Sequence, residues 1–139
     1  MQYSYQSLEP GIPKAPIIPI QLTRPDWQTP LRSITIDAFL DTGSDCTLVP
    51  LAVISTLQLQ VSRSTAIIQG IGGEADQSIA AYLNLTIGDI TIRAVKVYGY
   101  SGDLLNNQII LGRNILNQCC VEFDGINQKV TFKAVIPED

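Results

Sequence analysis

The sequence predicts a single, mostly-β domain of 139 residues. Three observations lead there. First, 19 Ile, 8 Val and 10 Thr make 37 of the 139 positions β-branched, and such side chains lose rotamer freedom in helices but fit a pleated surface. Second, apolar residues recur with period two in several short runs, the spacing of half-buried strands. Third, Gly, Pro, Asp and Asn punctuate those runs, as turns do. The length suits one domain with its own core.

The elements follow in chain order. Six of the eight prolines, Pro10, Pro13, Pro16, Pro19, Pro25 and Pro30, fall in the first 30 residues. Proline has no N–H to give to a ladder. Residues 1–16 therefore read as a flexible Pro-rich arm, residues 17–139 as the domain, and Ile17 to Leu22 as a strand suited to an edge. Ile34, Ile36, Ala38 and Leu40 then share one face of a strand, and Ser33, Thr35 and Asp37 the other. Asp41-Thr42-Gly43-Ser44-Asp45 is a turn cluster. Cys46 to Val49 reads as a strand. Leu51 to Leu57 contains no Gly or Pro and suits a short helix. Val61 to Ile68 is another strand, ended by Gly70, Gly72 and Gly73. Ala81, Leu83, Leu85 and Ile87 alternate up to Gly88-Asp89, a hairpin signal, and Ile90 to Val97 returns. After a polar loop over 99–107 come a strand at Gln108 to Leu111 and a helical turn at Arg113 to Asn117. Cys120 to Phe123 and Lys129 to Phe132 form a last hairpin around Asp124-Gly125-Ile126-Asn127.

Composition excludes several functions. Nine basic against thirteen acidic residues give a net charge of −4, with no basic patch of the kind nucleic acid requires. The absence of His removes Ser-His, Cys-His and His-metal chemistry. Carboxylates, Lys, Tyr and thiols remain. Cys46, Cys119 and Cys120 are an odd set for a disulfide framework and read as small buried groups in a reducing compartment. Met1 to Gln6 lack the apolar core of a signal peptide. Leu48 to Ile54 is interrupted by Pro50 and is too short to span a bilayer. A soluble, cytoplasmic protein without a membrane partner is expected.

The chemistry gathers at Phe39-Leu40-Asp41-Thr42-Gly43-Ser44. A carboxylate at the end of an apolar strand is held rigidly where the chain turns. Thr42 offers a hydroxyl to lock that turn, and Gly43 lets the backbone bend. The plain alternative is an Asx turn without function. Asp-Thr-Gly by itself arises by chance in roughly one chain of this size in a few tens. Gly70-Ile71-Gly72-Gly73-Glu74-Ala75 formally matches a dinucleotide-binding fingerprint, with an acid at Asp89. That fingerprint needs a long helix next, and the period-two run from Ala81 argues for a hairpin instead.

Three motifs together resemble the retropepsin-type aspartic proteases, the fold of retroviral proteases and of half a pepsin. Asp41-Thr42-Gly43-Ser44 resembles the catalytic loop. Ile67-Ile68-Gln69-Gly70-Ile71-Gly72-Gly73 is similar to the flap. Ile109-Ile110-Leu111-Gly112-Arg113-Asn114 resembles the apolar-apolar-Gly segment beneath the loop and the short helix after it. The resemblance covers residues 17–133 and implies a closed, all-β acid-protease barrel with one or two short helices.

The resemblance also implies roles. Asp41, Thr42 and Gly43 are catalytic. Ser44, Asp45, Ile68, Gly70, Ile71, Gly72 and Gly73 bind substrate. Leu111, Gly112 and Arg113 support the loop, with Arg113 paired to Asp45 within one subunit. The Ser44 hydroxyl is expected to bond Asp41 and favour its ionised form, giving an acidic pH optimum. The activity is hydrolysis of peptide bonds in extended substrates, with no metal and no cofactor. It needs two carboxylates sharing a proton, yet of nine aspartates only Asp41 precedes Thr-Gly. The second carboxylate must be Asp41 of another copy, so a homodimer with one shared site is expected. Two departures from the viral pattern, the helix at Leu51 to Leu57 and the pepsin-style last hairpin, place the chain nearer cellular and bacterial retropepsins. The alternative is a binding or assembly module that keeps the fold and does little chemistry.

Overall fold

In the computed structural model, residues 1–25, 32–69, 75–101 and 107–133 are described, the backbone alone for 63–69 and 75–78. The order is β1 (Gln2–Ser4), β2 (Ile17–Thr23), β3 (Ser33–Leu40), β4 (Thr47–Pro50), α1 (Leu51–Leu57), β5 (Ser62–Gln69), β6 (Ala75–Ile87), β7 (Ile90–Tyr100), β8 (Ile109–Leu111), α2 (Arg113–Leu116), β9 (Cys120–Asp124) and β10 (Lys129–Lys133). The large sheet runs β2-β3-β8-β4-β7-β6-β5, and a further β2–β6 pairing closes six of its strands into a barrel. A small sheet, β1-β10-β9, lies apart in the pairing scheme.

The period-two faces form the core. Ala81, Leu83, Leu85 and Ile87 are all buried, with Ala38 and Leu40 of β3 and Val95 and Val97 of β7. Ile34 and Ile36 pack against this cluster from the half-exposed end of β3. Helix α1 has no side-chain N-cap bond; Gln58, at φ 52°, ends it in the left-handed region. A helix of two turns is marginal alone. Burial of Val53, Ile54 and Leu57 against the barrel stabilises it.

Two expectations for the N-terminal region are corrected. Ile17–Thr23 is not a simple edge strand: it pairs along its whole length with β3, and Gln21–Thr23 also pair with β6. Barrel closure removes the edge there. Pro19 sits where β3 is the one neighbour in the pairing, so its missing N–H is tolerated. The start of the arm is not loose either, because Gln2–Ser4 pair antiparallel with β10. Its ladder is joined by the Met1 amine donating to Phe132 O at 3.0 Å and by Phe132 N–H donating to Met1 O at 2.8 Å.

Asn84 marks an irregularity between β6 and β7, where the register shifts between Leu83 and Leu85. Its carboxamide accepts the Ala94 N–H at 2.9 Å and donates to Arg24 O at 3.4 Å. Ala94 is held there at φ 53°. The cysteines are free: Cys46 and Cys119 are half-buried, and Cys120 is exposed rather than buried. No helix among the described residues is long and apolar enough to cross a membrane.

Candidate active site

Two parallel strands set the position of Asp41. β3 and β8 run side by side in register, Leu40 opposite Leu111. One residue further, the Asp41 N–H donates to Leu111 O at 3.0 Å, so the ladder carries the aspartate to the end of the strand. The chain then turns. The Ser44 N–H donates to Asp41 O at 3.2 Å, and the Gly43 N–H donates to Asp41 Oδ1 at 2.8 Å. A Cβ on Gly43 would stand 3.1 Å from that oxygen. The half-buried carboxylate is thus fixed through one oxygen.

The segment after β8 backs the turn. Gly112 is buried, and a Cβ there would lie 2.6 Å from the Cys46 carbonyl carbon, 2.9 Å from Ser44 O and closer still to Cys46 O. Only the smallest residue admits the loop this close. The Arg113 N–H donates to Ser44 O at 2.8 Å, and Arg113 Nη1 donates to Thr42 O at 2.8 Å.

Beneath lies a polar link that sequence reading missed. Thr47, fully buried, accepts the Gly112 N–H at 3.2 Å and donates to Asn114 Oδ1 at 2.7 Å. Asn114 Nδ2 donates on to Lys96 O of β7 at 3.2 Å. A lone Thr in an apolar strand looks like any β-branched core residue. The one signal was an Asn directly after Gly112-Arg113, a polar residue beside a buried turn. Thr47→Val is expected to lower stability by about 2 kcal/mol, because the Gly112 N–H is left without its partner where it is buried and the half-buried Asn114 carbonyl loses its donor. Thr47→Ser is expected to recover most of it; urea unfolding of both variants measures the difference.

Three contacts differ from expectation. The Thr42 hydroxyl makes no hydrogen bond among the described residues; the Gly43 amide and the Arg113 guanidinium hold the turn instead. The Ser44 hydroxyl donates to Cys46 O at 2.7 Å, not to Asp41, because that carbonyl lies within the same tight turn. Asp45 and Arg113 form no ion pair. Asp45 is exposed, and the guanidinium is directed to the Thr42 carbonyl. The ion pair found among the described residues, Lys133 with Glu122 at 3.2 Å, is remote in sequence and exposed, a kind worth little. Burial, and then the neighbouring Asp45 charge, push the Cys46 thiol pKa up. That disfavours the thiolate a cysteine nucleophile needs.

The strands on either side of the expected flap are β5 and β6. They pair antiparallel, Ile68 opposite Asp76 and Gln69 opposite Ala75. Gly70, Ile71, Gly72 and Gly73 lie outside the described residues, as does the Ile68 side chain. Among the described residues no cluster of three or more His, Cys, Asp or Glu could hold a metal ion.

Comparisons with known proteins agree with this geometry. A family profile described as aspartyl protease matches residues 31–115, from just before β3 through most of α2. A search of curated protein sequences finds no match. Among solved structures, EIAV protease in complex with the inhibitor HBY-793 is similar at a TM-score of 0.56 and 20% identity, over 78% of this chain and 90% of that chain. A retropepsin-like aspartic protease from Rickettsia conorii is similar at a TM-score of 0.55 and 17% identity, over 84% of this chain and 91% of that chain. With the Asp-Thr-Gly turn at the end of β3, Gly112 pressed beneath it and six strands closed into a barrel, the chain belongs to the aspartyl protease family and has its retropepsin-like fold.

Proposed function

We propose that the chain is an aspartic endopeptidase that acts as a homodimer, with the Asp41 side chains of two copies in one site. The observation that carries this reading is the Asp41 turn: a carboxylate held by the Gly43 amide at the end of β3, in an Asp-Thr-Gly string present once per chain. Two such carboxylates across a two-fold axis share one proton, since both cannot ionise at close range. The ionised one takes a proton from a water between them, and the water oxygen attacks the scissile carbonyl carbon. The protonated one gives its proton to the carbonyl oxygen. The tetrahedral diol then collapses: a proton passes to the amide nitrogen, the C–N bond breaks, and an acid and an amine leave. The dyad titrates as a unit.

Around it, Thr42 and Gly43 shape the catalytic turn. Ser44, Asp45, Ile68 and Gly70 to Gly73 contact an extended peptide. Leu111, Gly112 and Arg113 back the loop. The flap closes over substrate and excludes water. The test is cleavage of an unstructured protein between pH 3 and 7, with and without a statine-type inhibitor, alongside sedimentation. Inhibitor-sensitive cutting that tracks the dimer is the expected result. A folded chain with no such cutting is a binding or assembly module, and an active monomer ends the dimer reading.

A further inference from the structure

One peptide unit links Arg113 to Asp41. The Thr42 carbonyl and the Gly43 N–H belong to the same planar group, and in a trans peptide they point in opposite directions. The structure contains no cis peptide among the described residues. On one side the carbonyl accepts Arg113 Nη1 at 2.8 Å. On the other the N–H donates to Asp41 Oδ1 at 2.8 Å. Thr42 and Gly43 are the exposed crest of the turn, and neither has a buried side chain to hold it. The main-chain anchors, Asp41 N to Leu111 O and Arg113 N to Ser44 O, lie on either side of this crest. The Ser44 N–H to Asp41 O bond closes the turn across the crest, and a turn closed this way still admits two opposite orientations of its central Thr42–Gly43 peptide. A guanidinium on the carbonyl and a carboxylate on the N–H hold that plane at its two opposite edges.

We propose that Arg113 is a positioning residue that acts on Asp41 through the Thr42–Gly43 peptide. Its N–H sets the orientation of the Gly43 amide, and its charge polarises that amide toward the carboxylate. Chains of hydrogen bonds strengthen one another in this way, most where an end is charged. No carboxylate competes for the guanidinium among the described residues, so its field falls on the carbonyl. This role differs from an Asp45 partnership and deepens the peptidase reading, on which its kinetic arm rests.

The test compares Arg113→Met and Arg113→Lys with wild type in the full chain. Arg113 is exposed, so both variants are expected to keep the wild-type unfolding midpoint. In Arg113→Met the Gly43 amide proton resonance moves upfield and its hydrogen exchange quickens at least about tenfold, as expected when a charge-assisted chain is broken. The kcat falls about tenfold with KM within about twofold, the mark of an interaction realised in the transition state. Arg113→Lys recovers part of both, since one cationic donor still reaches a carbonyl. An unmoved Gly43 resonance overturns the proposal. So does an activity loss that only tracks a fall in unfolding midpoint, or a Lys variant no better than Met. The amide readout needs no turnover, so an inactive wild type ends the peptidase reading and leaves this inference separately decided.

Discussion

Co-refolding equal amounts of wild-type and Asp41→Asn chains is expected to leave about a quarter of the peptidase activity of the same total amount of wild type. The number follows from random pairing when both carboxylates of a two-fold site are required: half times half of the dimers are wild type on both sides. Independent monomer sites would leave about half. The Asp41→Asn homodimer is expected to lose about 10²–10⁴-fold, the span of a missing general acid or base. The substitution suits the test because it preserves the fold. An Asn carbonyl oxygen still accepts the Gly43 N–H that now holds Asp41 Oδ1 at 2.8 Å, and the main-chain bond from Asp41 to Leu111 is untouched. Activity is read from the initial rate on an unstructured substrate, at matched dimer concentration by sedimentation. A linear fall with the fraction of mutant chains rejects the shared site.

Gly112→Ala is expected to destabilise the fold by about 3 kcal/mol, a severe loss for a domain whose total stability is about 5–15 kcal/mol. The cause is space, not backbone conformation. Gly112 has φ −94° and ψ −174°, which any residue adopts. But the three atoms nearest a new methyl all belong to the backbone of Cys46 or Ser44, so relief cannot come from swinging a flexible side chain away. The loop has to move, and with it the Gly112 N–H leaves Thr47. Activity is therefore expected to fall further than stability accounts for, because the displaced segment begins three residues after Asp41. Urea unfolding and the residual rate on the same sample separate the two effects. A loss under about 1 kcal/mol shows that the loop yields easily and that Gly112 is not what holds it.

Much of the fold was legible because the chain's signals are local. The alternation of Ala81, Leu83, Leu85 and Ile87 is enough to predict a strand with one buried face, and all four are buried. The helix at Leu51–Leu57 appears with the bounds its composition suggested. The N-terminal region misled for a physical reason. A proline shows which bond a strand cannot make, but not how many neighbours the strand has. β2 holds Pro19 and still joins both β3 and β6, since the second pairing begins beyond the proline. Nor does a Pro-rich composition reveal that Gln2–Ser4, before the first proline, meet a partner more than 120 residues away.

The candidate site divides the same way. Residue type and order along the chain pointed to Asp41 as the carboxylate of interest and Gly43 as the bend, and the resemblance of Ile109 to Asn114 to the family's motif pointed to Gly112 as the glycine beneath. Those are properties of short strings: a carboxylate, a small residue and an apolar run at fixed offsets. Which donor meets which acceptor was a matter for the tertiary structure alone. Ser44 turned to Cys46 instead of Asp41, Arg113 to the Thr42 carbonyl instead of Asp45, and Thr47 became the buried hinge between Gly112 and Asn114. A hydrogen bond depends on separations of about 3 Å and on direction, and those are set only when strands distant in sequence are laid side by side. The sequence by itself thus determined the chemistry available to this protein, and the parallel pairing of β3 with β8 decided how that chemistry is held.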